Sequence, residues 1–186
     1  VSHGFQRFAP SFNRTAVNEG LIEVTGTRTT SSGGYTGAGT TDLNAGALLT
    51  VWQNASSVYS GRFTGAGALA KGGSGTLTLT GANTATGGLT VRAGTVDTTG
   101  GGTLADTGAI TIQSGATFIA GTADTVGAVS NAGNYLVNTA QTVASLGNAS
   151  SGTTRLNADL TATGPVGNDG RIVVSGTRQV TTTGLT

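Results

Sequence analysis

The side chains able to do acid–base or metal chemistry are few. They are Glu19, Glu23, Asp42, Asp97, Asp106, Asp124, Asp159 and Asp169, nine Lys and Arg residues, and a single histidine, His3. Paired carboxylates that work on a glycosidic bond or hold calcium must converge on one groove. Counted against the glycine spacing described below, Asp97 lies three residues after Gly94, Asp106 twelve after it, and Asp124 nine after Gly115. Unequal offsets predict no shared face, so Asp97 and Asp124 read as turn or solvated residues. One histidine supports neither a Ser-His-Asp arrangement nor, alone, a metal centre. The chain has no cysteine, hence no disulfide framework and no thiolate site. Gly65-Ala66-Gly67 and Gly72-Gly73-Ser74-Gly75 open no helical pattern, so a phosphate cradle is not expected. The sequence thus predicts no catalytic residue, no cofactor site and no metal site.

Weaker, contact-type chemistry is easier to find. Trp52, the only tryptophan, could form a stacking platform for a sugar ring with Tyr59 or Tyr35. Phe5, Phe8 and Phe12 fall within residues 1–20, a segment unlike the rest of the chain, and suit a cap or an intermolecular clasp. Thr76, Thr78, Thr80, Thr84 and Thr86, echoed at Thr181–Thr183, form dense arrays. A flat Thr-x-Thr face on a sheet can order water and bind ice, although at a fixed offset the threonines do not recur from one repeat to the next. Threonine also simply suits exposed β positions. Charged residues make up only 9% and the net charge is +1, which leaves no basic stripe for nucleic acid. No run approaches 18 apolar residues, so no helix spanning a membrane is expected.

The elements that must position these groups are short strands. Gly (33 residues) and Thr (36) exceed a third of the chain, and Leu, Ile, Val and Phe total 39, about 21%. So lean an apolar content approaches the disordered range, but the low net charge favours an ordered, repetitive β structure. Leu77-Thr78-Leu79 and Leu89-Thr90-Val91 alternate with period two. Marker glycines at Gly75, Gly94, Gly115, Gly133, Gly152 and Gly170 are spaced 19, 21, 18, 19 and 18 apart. Four residues after each come Leu79, Thr98, Ile119, Val137, Leu156 and Val174, the expected inward column. A period near 19 fits one turn of a β-solenoid and is too short for a helical repeat. The expectation is an all-β, single-stranded parallel β-helix with rungs of about 19 residues. Residues 1–20 would form the cap or arm and residues 21–186 the solenoid, irregular over 21–64 and regular over 65–186.

The stretch Gly65–Val96, GAGALAKGGSGTLTLTGANTATGGLTVRAGTV, resembles the passenger-associated repeat of bacterial autotransporters. Gly73 through Asn83 and the Ala93-Gly94-Thr95 step carry the likeness, whereas Ala85 and Leu89 depart from the pattern. The resemblance implies a right-handed parallel β-helix that is secreted to the bacterial cell surface and exported through a β-barrel translocator. The chain itself, starting at Val1, reads as a mature product or a fragment. A non-enzymatic stalk or adhesive surface is the expected role, with like molecules or surface glycans as partners and filaments as one outcome. A β-helical polysaccharide-acting enzyme and an ice-binding solenoid are the alternatives.

Overall fold

A computed structural model describes residues 15–30 and 33–186, and every description below concerns these residues. They contain 23 short strands and no helix. All strand pairings are parallel, and each strand pairs with one about a turn away in sequence. The chain therefore winds as a β-solenoid of nine turns with three walls. At about 4.8 Å per rung the stack is roughly 40 Å long.

The first wall runs from Ala16–Val17 through Tyr35–Thr36, Ser57–Tyr59, Thr76–Leu79, Thr95–Asp97, Thr117–Ala120, Asn134–Val137 and Thr153–Leu156 to Arg171–Val174. The second wall begins with Leu21–Val24, Thr40–Leu43 and Arg62–Gly65. It then breaks for two turns, where only an Ala82–Thr103 bridge remains. Gly100-Gly101-Gly102 lies in that gap, a run with no side chain to pack on a pleated surface. The wall resumes in Asp124–Asn131 and Gln141–Asn148, eight-residue strands that bend round the corner into the third wall, followed by Leu160–Ala162 and Val180–Thr181. Leu48–Trp52, Ala68–Gly72, Leu89–Val91, Ile110–Ile112 and Pro165–Asn168 make most of the third wall.

Inside, side chains stack rung on rung. Leu49, Leu69, Leu89, Ile110, Val129, Leu146 and Val166 form one buried column in register. Larger rings fill two places: Tyr35, Tyr59 and Phe63 cluster with centroids 4.8–5.7 Å apart, and Phe118 stacks on Tyr135 at 5.8 Å. Each fully buried aliphatic contributes roughly 1.5–3 kcal/mol. The interior of a narrow solenoid is continuous, so these contributions couple neighbouring turns.

The corners hold buried polar groups that satisfy the backbone where the ladder bends. Asn131 donates through Nδ2 to Asn148 Oδ1 (2.8 Å), and Asn148 in turn donates to Asn168 Oδ1 (2.7 Å). The same two amides reach the Thr153 and Arg171 carbonyls. At the opposite corner glycines stack: a Cβ on Gly39, Gly61 or Gly81 would collide with a carbonyl of the preceding turn, at Gly20, Gly39 and Gly61 respectively. That close approach is the reason for glycine there.

The register corrects the sequence reading at one rung. Thr95 pairs with Thr117 and Val96 with Phe118, so Ala116, not Gly115, stands over Gly94. Gly115 belongs to the preceding turn, where it adopts φ +79° and the Ala116 amide closes back on the Gln113 carbonyl at 3.0 Å. Phe118 and Ala120 are buried as a result, while Ile119 lies half-exposed on the outside. The other expected inward residues fare differently by position: Leu79, Val137 and Leu156 are fully buried, and Val174 in the final turn is 46% exposed. Residues 21–64, expected to be irregular, carry the same three walls. Within that span Tyr35–Thr36 supplies the first-wall strand of the second turn.

Candidate functional site

The groups with the most reactive potential are spent inside the fold. Lys71 is fully buried in the third wall and donates to the carbonyls of Gly72 (2.8 Å), Gly73 (2.9 Å) and Ala93 (3.4 Å). Burial lowers its pKa from 10.5 to about 8. It occupies the same stacking column as Val51, Val91, Ile112, Asn131 and Asn148, so its ammonium does at one turn what the asparagines do at later ones. The hydroxyls of Tyr35, Thr41 and Tyr59 form a buried network with Asn18 Nδ2. Burial pushes the Tyr35 hydroxyl up to about 12 and raises that of Tyr59 as well.

This network corrects the expected aromatic platform. Tyr59 and Tyr35 are both 0% exposed, and the Tyr59 hydroxyl also donates to the Gly39 carbonyl at 2.7 Å. Neither ring can receive a sugar. Trp52 does lie outside, 45% exposed, with its indole resting over Gly72, whose missing side chain leaves the space. Phe5, Phe8, Phe12 and His3 lie outside the described residues.

The walls carry what sequence counting missed. On the second wall Thr125, Thr142, Thr161 and Thr181 pair rung to rung as one outward column. On the first wall Thr76, Thr95, Thr117, Asn134 and Thr153 do the same. Hydroxyls therefore repeat at the strand spacing of about 4.8 Å over several rungs. A fixed offset hides these columns because turn lengths differ: Val96 to Phe118 is 22 residues, and Phe118 to Tyr135 is 17.

The same variation gathers acids that their offsets kept apart. Asp106, Asp124 and Asp159 border an open groove of about 520 Å³ on the second wall, with Thr125, Gln141, Thr142 and Thr161 along it. Asp124 Oδ2 accepts the Leu104 amide at 2.7 Å and Oδ1 the Thr125 amide at 2.9 Å. Burial raises the Asp124 pKa, the Asp106 charge adding to the effect against those two hydrogen bonds. Asp159 Oδ1 accepts the Gln179 amide at 3.0 Å, and Asp97 Oδ1 caps the Thr99 amide at 2.8 Å as a turn residue does. Among the described residues no group of three or more His, Asp or Glu side chains is arranged to hold a metal ion. A smaller gap beneath the broken wall, bordered by Phe63, Leu89 and Leu104, measures about 20 Å³, room for a single water.

Residues 69–97 match the passenger-associated-transport-repeat family. The matched stretch runs from the third wall of one turn to the first wall two turns on. It contains the pairs Leu69–Leu89 and Leu77–Val96 that set the register of this region. No curated protein and no solved structure matches the chain. The autotransporter likeness therefore covers one rung and its flanks, and the remaining turns extend the same solenoid on their own register.

Proposed function

We propose that this chain is a segment of a secreted bacterial surface passenger and serves as a non-enzymatic stalk with adhesive walls. The observation that carries this reading is the pair of in-register hydroxyl columns, Thr76 to Thr153 and Thr125 to Thr181, on long exposed parallel sheets. Such walls offer many shallow hydrogen bonds at one repeat, the arrangement that turns weak single contacts into avidity. Like molecules and surface glycans are the fitting partners, with Trp52 as the one exposed aromatic among the described residues for a sugar. Asp124 accepts the backbone amides of Leu104 and Thr125 and Asp159 that of Gln179, which supports a structural use of these two carboxylates over acid–base work. Beads coated with the chain should clump or adhere to glycan-coated surfaces, and Thr125→Val with Thr142→Val and Thr161→Val should weaken this while the far-UV spectrum stays unchanged. Coated beads that remain dispersed and bind no glycan surface would remove the adhesive reading. New reducing or unsaturated sugar ends released from a polysaccharide would favour the enzyme instead.

The threonine columns also favour a second reading, ice binding, because flat ranks of methyl and hydroxyl groups can hold ordered water. Thermal hysteresis that Thr142→Leu reduces would support it, and freezing at the colligative value would end it.

A further inference from the structure

We infer that copies of this chain associate side by side, the first wall of one against the second wall of the next. The inference rests on the self-association reading above and names the faces that would meet. On the first wall Ile119, Leu136, Arg155 and Val173 pair in register as one outward column. The three aliphatic side chains are half-exposed and Arg155 is exposed among them, so the sheet face is a low apolar ridge with a guanidinium at its centre. Arg171, also exposed, pairs with Thr153 in a neighbouring column.

The second wall is its complement. The groove of about 520 Å³ has Thr125, Thr142 and Thr161 as a column, with Asp106, Asp124 and Asp159 on its borders. Asp106 and Asp159 are exposed and Asp124 is half-buried. Among the described residues none of the three accepts a hydrogen bond from an arginine: Asp124 takes the amides of Leu104 and Thr125, and Asp159 that of Gln179. Ridge meets groove, methyl groups of threonine meet aliphatic side chains, and guanidinium meets carboxylate. The heights also agree, since the ridge spans turns six to nine and the groove turns five to eight. Both faces repeat at one rung spacing, so successive rungs of two copies can mesh at a single offset.

A second copy is the occupant because both halves of the charge complementarity lie on this chain. The contact joins unlike faces, so each copy keeps one free face of each kind, and the assembly grows as an open bundle or closes as a ring. The Arg–Asp contacts at its rim would weaken with salt.

The test uses sedimentation of the full chain over a concentration series in low salt. Arg155→Asp alone and Asp159→Arg alone should each weaken association about tenfold or more, because each places like charges opposite one another. The double variant carrying both changes should recover it. Both sites are exposed, and unchanged far-UV spectra would establish that the variants fold. Wild-type protein that associates, with both single variants matching it, would overturn the wall pairing and leave self-association standing. Wild-type protein that stays monomeric at every concentration would remove self-association as well. A monomeric chain that binds polylysine through Asp159 would assign the groove to a basic partner instead of a second copy.

Discussion

The rung that begins at Ala116 offers the sharpest test of the architecture, because the glycine count and the observed register assign opposite faces to adjacent residues. Phe118 is 2% exposed, pairs with Val96 below and Tyr135 above, and stacks on the Tyr135 ring. Phe118→Ala removes a buried ring from a narrow interior that cannot collapse without shifting two neighbouring turns, and should cost about 3–5 kcal/mol. Ile119 is half-exposed on the outer face. Ile119→Ala removes a side chain that is only partly withdrawn from water and should cost about 1 kcal/mol or less. Repeat folds depart from all-or-none unfolding, so a single melting temperature would blur the contrast. Amide hydrogen exchange at Val96, Asp97, Tyr135 and Leu136 reads the opening of the flanking rungs directly. Exchange there should accelerate roughly 100- to 4,000-fold in Phe118→Ala, at about 1.4 kcal/mol per decade, and by less than about tenfold in Ile119→Ala. Equal acceleration in the two variants, or a larger effect from Ile119→Ala, would refute the register and restore Gly115 as the marker.

Two further outcomes follow from buried polar groups. The Lys71 ammonium has a pKa of about 8 when folded against 10.5 when exposed, so the folded chain binds fewer protons than the unfolded one between those values. Stability should therefore rise from pH 8 to pH 10, by up to about 2 kcal/mol. Above pH 10 it should fall, because Tyr35, with its hydroxyl raised to about 12, holds a proton that the unfolded chain releases. Lys71→Met should abolish the rising limb, and denaturation midpoints that climb equally in both proteins would contradict the assignment. The Tyr135 hydroxyl is buried with no hydrogen-bond partner among the described residues. Tyr135→Phe should consequently be neutral or stabilise by about 1 kcal/mol, whereas a loss of more than about 1 kcal/mol would show that the hydroxyl is satisfied in solution.

How much of this molecule the sequence disclosed depends on which property is asked for. The parallel solenoid was legible because Leu77-Thr78-Leu79 and Leu89-Thr90-Val91 alternate cleanly and the glycines recur near every nineteenth residue. Those signals are local and survive small errors in counting. Burial of Tyr35 and Tyr59 was not legible, since a tyrosine whose hydroxyl finds Asn18 and Thr41 in the interior has the same sequence neighbourhood as one on the surface. Nor was the placement of Lys71, whose compensation comes from three carbonyls near its own corner.

The features that bear on function lie in the register between turns, and a constant period destroys them. A turn of 22 residues followed by one of 17 leaves the mean near 19 while displacing everything between by several residues. Thr117 then drops out of line with Thr95, and Asp106, Asp124 and Asp159 acquire offsets that look unrelated. In the folded chain the surplus residues leave the wall, in the break around Gly100-Gly101-Gly102 and the turn at Gly115, so the strands themselves never lose alignment. What such a wall presents to a partner depends on which residues are level with one another. The spacing between them along the chain is free to drift, provided that corners absorb the difference. A solenoid's surface chemistry is therefore best sought by aligning strands individually, each anchored by its own inward pair such as Phe118 and Ala120 or Tyr135 and Val137, and only then reading the outward residues across the rungs.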